Sequence, residues 1–306
     1  MSRRKSVRQL WLAIHLYVGL FLGGVLVLLG LTGSALVFYL EIDRALNPEI
    51  AIHRLAATPP SVQAVFQAIT NRYPERQGSW RIEMPLTEST PFMARYYSPP
   101  ERTGRMFAPV MLTLDPQTLA VTSSRYWGDY VMTWLFDLHY TFLLESGGQT
   151  AVGVAGLFMA ASLLSGLYLW WPSASRFLRA IRPILRRGVV LRTYDLHVLA
   201  GWYGGLVLLV LALSGSALAL PNATQRVLAL FSSPHPATPV MSGLIPAGSA
   251  VMDLDQAIHI AGGGSKTGHN AKFDLCHSGN DLTFSLFRTF ICRRQCLRER
   301  EYSLHS

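Results

Sequence analysis

The chain has 306 residues and a mass of 33.9 kDa; half of its residues are hydrophobic and only 15% are charged. This composition, with a mean hydropathy of +0.26, excludes a disordered protein, because disorder requires low hydrophobicity and high charge. Residues 9–40, 146–175 and 196–225 contain no Asp, Glu, Lys or Arg. A helix crosses a bilayer with about 20 apolar residues, and each window exceeds that length. The sequence therefore predicts a membrane α-helical protein with three transmembrane helices in a lipid bilayer.

The predicted segments follow one another along the chain. They are a cytoplasmic N-terminus (1–8), transmembrane helix 1 (9–40), an outer α+β segment (41–129), an interfacial helix (130–145), transmembrane helix 2 (146–172), a basic cytoplasmic loop (173–195), transmembrane helix 3 (196–220), a partial second outer segment (221–275) and an atypical tail (276–306). The apolar run that begins at Leu10 is too long for a cleaved signal peptide, whose apolar region spans roughly 7–15 residues. We therefore expect transmembrane helix 1 to be an uncleaved anchor.

The net charge of +9 follows the predicted topology. Four cations precede the first span, and six arginines but only one acid lie between the second and third spans. Residues 41–145 instead carry nine basic and eleven acidic side chains. Short loops rich in Lys and Arg remain in the cytoplasm. The distribution predicts cytoplasmic locations for the N-terminus and the 173–195 loop, an outer location for 41–145, and no nucleic-acid partner.

The outer segment is predicted to be a small α+β unit. Residues 61–73 have apolar side chains at helical spacing, with Ser61 as the N-cap. Residues 110–114 and 119–122 alternate and flank a turn, which predicts an antiparallel pair of strands. An apolar helix is then expected over 130–145, with an interruption at Gly147-Gly148 before the second span.

An internal repeat relates the first and third spans. A shift of 182 residues places His15 on His197, and it superimposes two glycines of the first span on two of the third. The glycine pairs are Gly19 with Gly201 and Gly23 with Gly205. Since both spans would run in the same direction, the sequence predicts a parallel repeat.

The two histidines lie at similar predicted depth, one or two turns inside the cytoplasmic surface. Two imidazoles on parallel helices can ligate one haem iron from opposite sides, and the glycines four and eight residues later lie on the same helix face. Removal of side chains beside the ligands would make room for the porphyrin. The alternatives are that each histidine is an ordinary packing residue and that the Gly-x-x-x-Gly stripes are helix-packing faces.

His139 belongs to the opposite end of the predicted membrane region. It is set, with Asp137, among the apolar residues of the interfacial helix and could be an interfacial polar residue. The same 182-residue shift predicts an equivalent histidine near position 321, beyond residue 306. A complete two-unit protein would therefore contain a fourth span and a second, outer pair of histidines.

Several motifs together resemble the PepSY-associated transmembrane helix family over roughly residues 8–220. They are WLAIHLYVGL (11–20), LTGSAL (31–36), Leu138-His139, Gly153-x-x-Gly156 and SGLYLWWP (165–172). Members of that family are bacterial inner-membrane proteins with four spans and PepSY-like segments outside; some resemble ferric-siderophore reductases with two b-type haems. The resemblance implies that His15 and His197 hold an inner haem b and that His139 holds one side of an outer haem.

The final segment departs from the family pattern. Residues 276–306 contain all three cysteines and no span. Their spacing matches neither a c-type haem motif nor a zinc site. We interpret the segment as a disrupted reading frame or a divergent tail. In that case His139 would have no transmembrane partner, which puts the outer haem in doubt.

The favoured interpretation is an inner-membrane haem electron carrier, with its N-terminus in the cytoplasm. The expected substrate is a ferric siderophore or another ferric complex on the outer side, reduced by electrons from a cytoplasmic or quinone donor. The alternative is a non-catalytic, membrane-anchored PepSY binding or regulatory protein. An ion-coupled transporter is disfavoured, because the predicted spans contain no carboxylates.

Overall fold

The computed structural model describes residues 2–50, 60–78, 80–83, 91–173, 175, 177, 186–232, 253–256, 272–278 and 281–287. Its helices are α1 (Ser2–Val37), α2 (Tyr39–Leu46), α3 (Val62–Arg72), α4 (Val131–Thr141), α5 (Glu145–Trp170), α6 (Val189–Ala219) and α7 (Pro221–Ala229). Its strands are β1 (Trp80–Glu83), β2 (Phe92–Tyr96), β3 (Val110–Leu114), β4 (Val121–Tyr126), β5 (Lys272–Ser278) and β6 (Asp281–Phe287). Short 3-10 turns occur at Pro48–Ile50 and Pro100–Arg102. Two compact units result, Met1–Val37 with Leu135–Pro234, and Phe38–Trp134 with His235–Ser306.

The first unit contains three helices that are long and apolar enough to cross a membrane. They cover Val7–Val37, Glu145–Trp170 and Val189–Ala219, which confirms the three predicted spans. Helix α5 packs against both α1 and α6. Large apolar side chains such as Leu20 and Phe21 are exposed, as expected for helices whose surrounding solvent is hydrocarbon.

Helix α6 begins before residue 196, the predicted start of the third span. An ion pair explains the extension into the predicted loop. The backbone N–H of Arg186 donates to Asp195 at 2.9 Å, and its guanidinium donates to the same carboxylate at 2.6–3.1 Å. Gly188 supplies the left-handed backbone, with φ of 95°, that turns the chain into the helix. The first two turns of α6 therefore contain Arg192 and Asp195 and precede its uncharged part.

The connection between α4 and α5 lies before the predicted interruption. Phe142, Leu143 and Glu145 have positive φ values of 49°, 60° and 54°, and α5 already includes both residues of the predicted break. A Cβ on Gly148 would overlap the carbonyl group of Thr141. The predicted interruption at Gly147-Gly148 is therefore wrong, because Gly148 permits close contact between the end of α4 and the first turn of α5.

The second unit contains an antiparallel six-stranded sheet with the order β4-β3-β2-β1-β5-β6. Helix α3 packs on it, and the oxygen of Ser61 accepts a hydrogen bond from the N–H of Ala64, which confirms the predicted cap. Strand β3 is buried throughout, so its predicted alternation is wrong, whereas its antiparallel pairing with β4 is confirmed. The core comprises apolar side chains of α3 and β1–β3, with Leu254.

The chain after α6 differs from the predicted division. Pro221 begins α7, a helix inside the predicted second outer segment, since proline is favoured in the first turn of a helix. Strand β5 pairs with β1 in the same sheet as the first outer segment, and it crosses the predicted boundary between residues 275 and 276. Residues 288–306 of the predicted tail lie outside the described residues.

A buried ion pair attaches α2 to β4. Asp43, 5% exposed, accepts hydrogen bonds from the guanidinium of Arg125 at 3.3 and 3.4 Å. The side chain of Asn47 donates to the same carboxylate at 2.6 Å. The guanidinium lies 4.0 Å from the ring centroid of Tyr130, whose hydroxyl is 3.4 Å from that of Tyr39. Burial raises the pKa of both phenols above the ordinary value of tyrosine.

Candidate metal-ligand site on the membrane helices

The histidines related by the repeat lie side by side. His15 on α1 and His197 on α6 have ring centroids 6.0 Å apart and an angle of 69° between the ring planes. Helix α5 packs against both α1 and α6 and so fixes the spacing of the two helices that carry the rings. The pair therefore depends on tertiary packing of residues that are 182 positions apart in the chain.

The ring of His15 is half-buried against α5. Its Nδ1 lies 3.1 Å from the hydroxyl oxygen of Ser165, and its Cε1 would lie 2.9 Å from a Cβ on Gly166. Real Cβ atoms do not approach other atoms so closely, hence the imidazole occupies space that only a glycine leaves free. Since Nδ1 is engaged by the hydroxyl, Nε2 is the ring nitrogen available to a metal.

The ring of His197 is more exposed than that of His15. Its aromatic neighbour is His15 itself. Near this end of α6, Trp202 packs with Trp170 of α5 at 5.0 Å between ring centroids and with Phe177 at 5.5 Å. Tryptophan is enriched where membrane helices meet water, so this cluster places the histidine pair near one membrane surface.

The spacing of the pair fits a shared metal ion. A bond of about 2 Å from a metal to an imidazole nitrogen, with about 1 Å more to the ring centre, gives roughly 6 Å between centroids on opposite sides of one ion. The observed separation of His15 and His197 is 6.0 Å. Direct contact between the two rings would give a comparable distance. A haem held between them would also require space between the helices for the porphyrin, whereas direct contact would not.

The glycine stripes that follow the histidines are not packed against other described atoms. A Cβ added to Gly19, Gly23, Gly201 or Gly205 would have no atom within 4 Å. The helix contacts within the described residues instead use other glycines. A Cβ on Gly153 or Gly156 of α5 would come within 3.1 Å of atoms of α6. The packing alternative therefore describes α5, whereas the stripes that follow the two histidines border open space.

His139 is placed far from the pair. On α4, its Nδ1 lies 2.9 Å from the hydroxyl of Thr32, and its Cε1 would lie 3.0 Å from a Cβ on Gly33. His15 and Gly33 are 18 residues apart in α1, which at about 1.5 Å per residue corresponds to roughly 27 Å. The structure thus brings His15 and His197 together and places His139 near the other end of α1.

His15 and His139, the two histidines that pack against a glycine of another helix, share a feature that the sequence reasoning missed. Each packs on a helical glycine that follows a hydroxyl residue, Ser165-Gly166 or Thr32-Gly33, and each uses Nδ1 to contact the hydroxyl. The dipeptides were visible inside the quoted motifs. No local pattern indicates that each dipeptide lies against a histidine on another helix, because the partners are more than 100 residues apart.

The helices and sheet define a multi-pass membrane protein with an antiparallel α+β unit attached to its spans. A family model described as the PepSY-associated TM region matches residues 12–289. The chain therefore belongs to this family, as its motifs predicted. No curated protein matches it.

Proposed function

We propose that this protein is a membrane electron carrier that binds a b-type haem between His15 and His197. The observation that carries the proposal is the 6.0 Å separation of the two imidazole rings on different membrane helices. Two imidazoles at this spacing could both be ligands of one haem iron. A haem held by these two histidines would supply one-electron transfer between the ferric and ferrous states.

Different residues of the chain would bind the iron, orient a ligand ring and leave room for the haem. His15 and His197 supply the ligand nitrogens, and Ser165 holds the first ring by its Nδ1. Gly19 and Gly201, one turn after the histidines, leave room for the flat group beside each ligand. The surrounding apolar side chains of α1, α5 and α6 exclude water, and burial is one means by which a protein sets a haem potential.

Electrons pass outward in this proposal, from a cytoplasmic or quinone donor to a ferric complex, such as a ferric siderophore, on the outer face of a bacterial inner membrane. The direction is supported by the charge distribution. Basic residues are concentrated in the first two turns of α1 and around the start of α6, near the histidine pair, and basic flanks mark the cytoplasmic side of membrane helices. His139, near the other end of α1, is the proposed ligand on the outer side.

Hemin titration of the purified full-length protein in nanodiscs tests the function. The expected result is a b-type reduced-minus-oxidised spectrum with one inner haem per chain. His15→Ala and His197→Ala should each abolish that same signal, because one iron needs both ligands. His139→Ala is the matched control, since its ring lies against Thr32 and Gly33 and not against the pair. Independent partial losses in the two ligand variants would contradict a shared site.

A second candidate is a membrane-anchored binding or regulatory module without redox activity. It is favoured by the sheet unit, which has a core of its own that is fully buried at Ile69, Ile82, Phe92, Leu112 and Leu114. Protein that remains colourless after hemin titration, yet folded by circular dichroism, would support this candidate and refute the electron carrier.

A further inference from the structure

We propose that Ser165 and Thr32 are positioning residues that fix the tautomer of His15 and His139, so that each ring presents a bare Nε2. The inference rests on the proposed function in one respect, since it identifies the nitrogen that would face a metal. Its physical basis does not depend on a bound group. Each of the two hydroxyl groups has one proton, and the proposal concerns whether that proton is donated to a helix carbonyl or to the histidine ring.

The hydroxyl of Ser165 has a single proton. It donates this proton to the backbone carbonyl of Ser162 at 2.9 Å, within its own helix. With the proton in that bond, the oxygen can only accept towards His15 Nδ1, at 3.1 Å, and this is the arrangement that the proposal assigns in preference to donation from the hydroxyl to Nδ1. A hydrogen bond between them requires the proton on Nδ1, which leaves Nε2 of the neutral ring without one.

Thr32 repeats this arrangement at the other end of α1. Its hydroxyl donates to the backbone carbonyl of Leu28 at 2.8 Å and also lies 3.2 Å from that of Leu29. In the proposed arrangement its proton is directed into its own helix, and the oxygen accepts from Nδ1 of His139 at 2.9 Å, beside the backbone carbonyl of Leu29, which is a further hydrogen-bond partner of this ring. The same combination of hydroxyl and imidazole thus occurs between α1 and α5 and between α4 and α1.

The glycine that follows each hydroxyl residue provides a second contact that holds the ring. Gly166 and Gly33 allow the imidazoles to approach the helix backbone, with Cε1 at 2.9 and 3.0 Å from the positions that a Cβ would occupy. The ring is then held by its Nδ1 edge and by contact with the glycine. Rotation of the ring about its Cβ–Cγ bond, which would place the carbon Cδ2 where Nδ1 lies, would break the hydrogen bond.

Ligation through Nε2 with Nδ1–H donating to an oxygen is the arrangement in which a neighbouring group orients a metal-bound imidazole and increases its basicity. A more basic ligand favours the ferric over the ferrous ion. Ser165→Ala should therefore weaken hemin binding by roughly 10–100-fold and shift the midpoint potential of the inner haem to a more positive value.

Nitrogen-15 NMR of hemin-free, full-length protein with labelled histidine tests the inference directly, at a pH well above the usual histidine pKa of about 6.5. The resonances of His15 and His139 are assigned by their loss in His15→Gln and His139→Gln. The expected result is a protonated Nδ1 and an unprotonated Nε2 for both rings. Ser165→Ala should convert His15 alone to the Nε2–H form, and Ser165→Thr should restore the original tautomer.

Thr32→Val and Thr32→Ser form the matched pair for His139, because valine keeps the shape of threonine and loses the hydroxyl. An Nε2–H tautomer in the unaltered protein would overturn the inference, as would a tautomer that is unchanged in Ser165→Ala. Failure of the proposed function has a different signature. Protein that binds no hemin but whose tautomers follow the hydroxyl groups would refute the haem proposal alone.

Discussion

Gly166→Ala is the sharpest perturbation of the histidine pair. The new methyl carbon would lie 2.9 Å from Cε1 of His15, and the other two atoms of that ring near it, Nδ1 and Nε2, would lie at 3.6 and 3.7 Å. Carbon atoms pack at about 3.5–4.0 Å, so the ring must retreat by roughly 0.6–1 Å. That displacement lengthens the hydrogen bond to Ser165, now 3.1 Å, beyond useful range.

We expect Gly166→Ala to weaken hemin binding by roughly 10–100-fold, the usual cost of removing the support of a metal ligand. Gly147→Ala is the matched control, because it adds the same methyl group to the same helix, where no atom lies within 4 Å. Hemin titration followed by absorbance measures both variants, and circular dichroism establishes that they fold. Equal hemin affinity for Gly166→Ala, Gly147→Ala and the unaltered protein would refute the placement of His15 against α5.

Three further predictions concern other parts of the molecule. Gly156→Ala should lower the free energy of unfolding by about 1–3 kcal/mol in denaturant titrations, because its Cβ would lie 3.1 Å from a backbone oxygen of α6; unchanged stability would contradict that packing. Asp43→Ala leaves the buried guanidinium of Arg125 uncompensated and should cost about 3–5 kcal/mol by thermal melting; a loss below 1 kcal/mol would show a solvated pair. Gly19→Phe should block hemin binding, whereas Gly24→Phe, on roughly the opposite face of α1, should not; equal affinities would mean that the stripe does not border the site.

Local patterns in the sequence predicted the parts of the fold that depend on neighbouring residues. Long windows without charge fixed the three spans, and the spacing of Val62, Val65, Phe66 and Ile69 after Ser61 fixed α3. These features need no knowledge of the partner, since apolar length determines a span and a cap acts three residues away.

The parts of the fold that the sequence did not predict depend on contacts between residues far apart in the chain. The attachment of β5 to β1 joins segments about 190 residues apart, and no local pattern specifies which strand extends a sheet. The early start of α6 depends on Arg186, whose side chain balances Asp195. In the candidate site, the repeat identified His15 and His197 because it compares two spans, whereas Ser165 supports a histidine on a different helix and has no equivalent signal within its own span.

The tight corner between α4 and α5 links the two histidine positions mechanically. Three residues without glycine's freedom adopt left-handed backbone there, and the first turn of α5 touches the end of α4. Through this corner, a displacement of α5, which carries Ser165 and Gly166 near its other end, would also displace His139. A sliding movement of α5 along α1 would shift both imidazole contacts in concert, so a disturbance at one membrane face would be felt at the other.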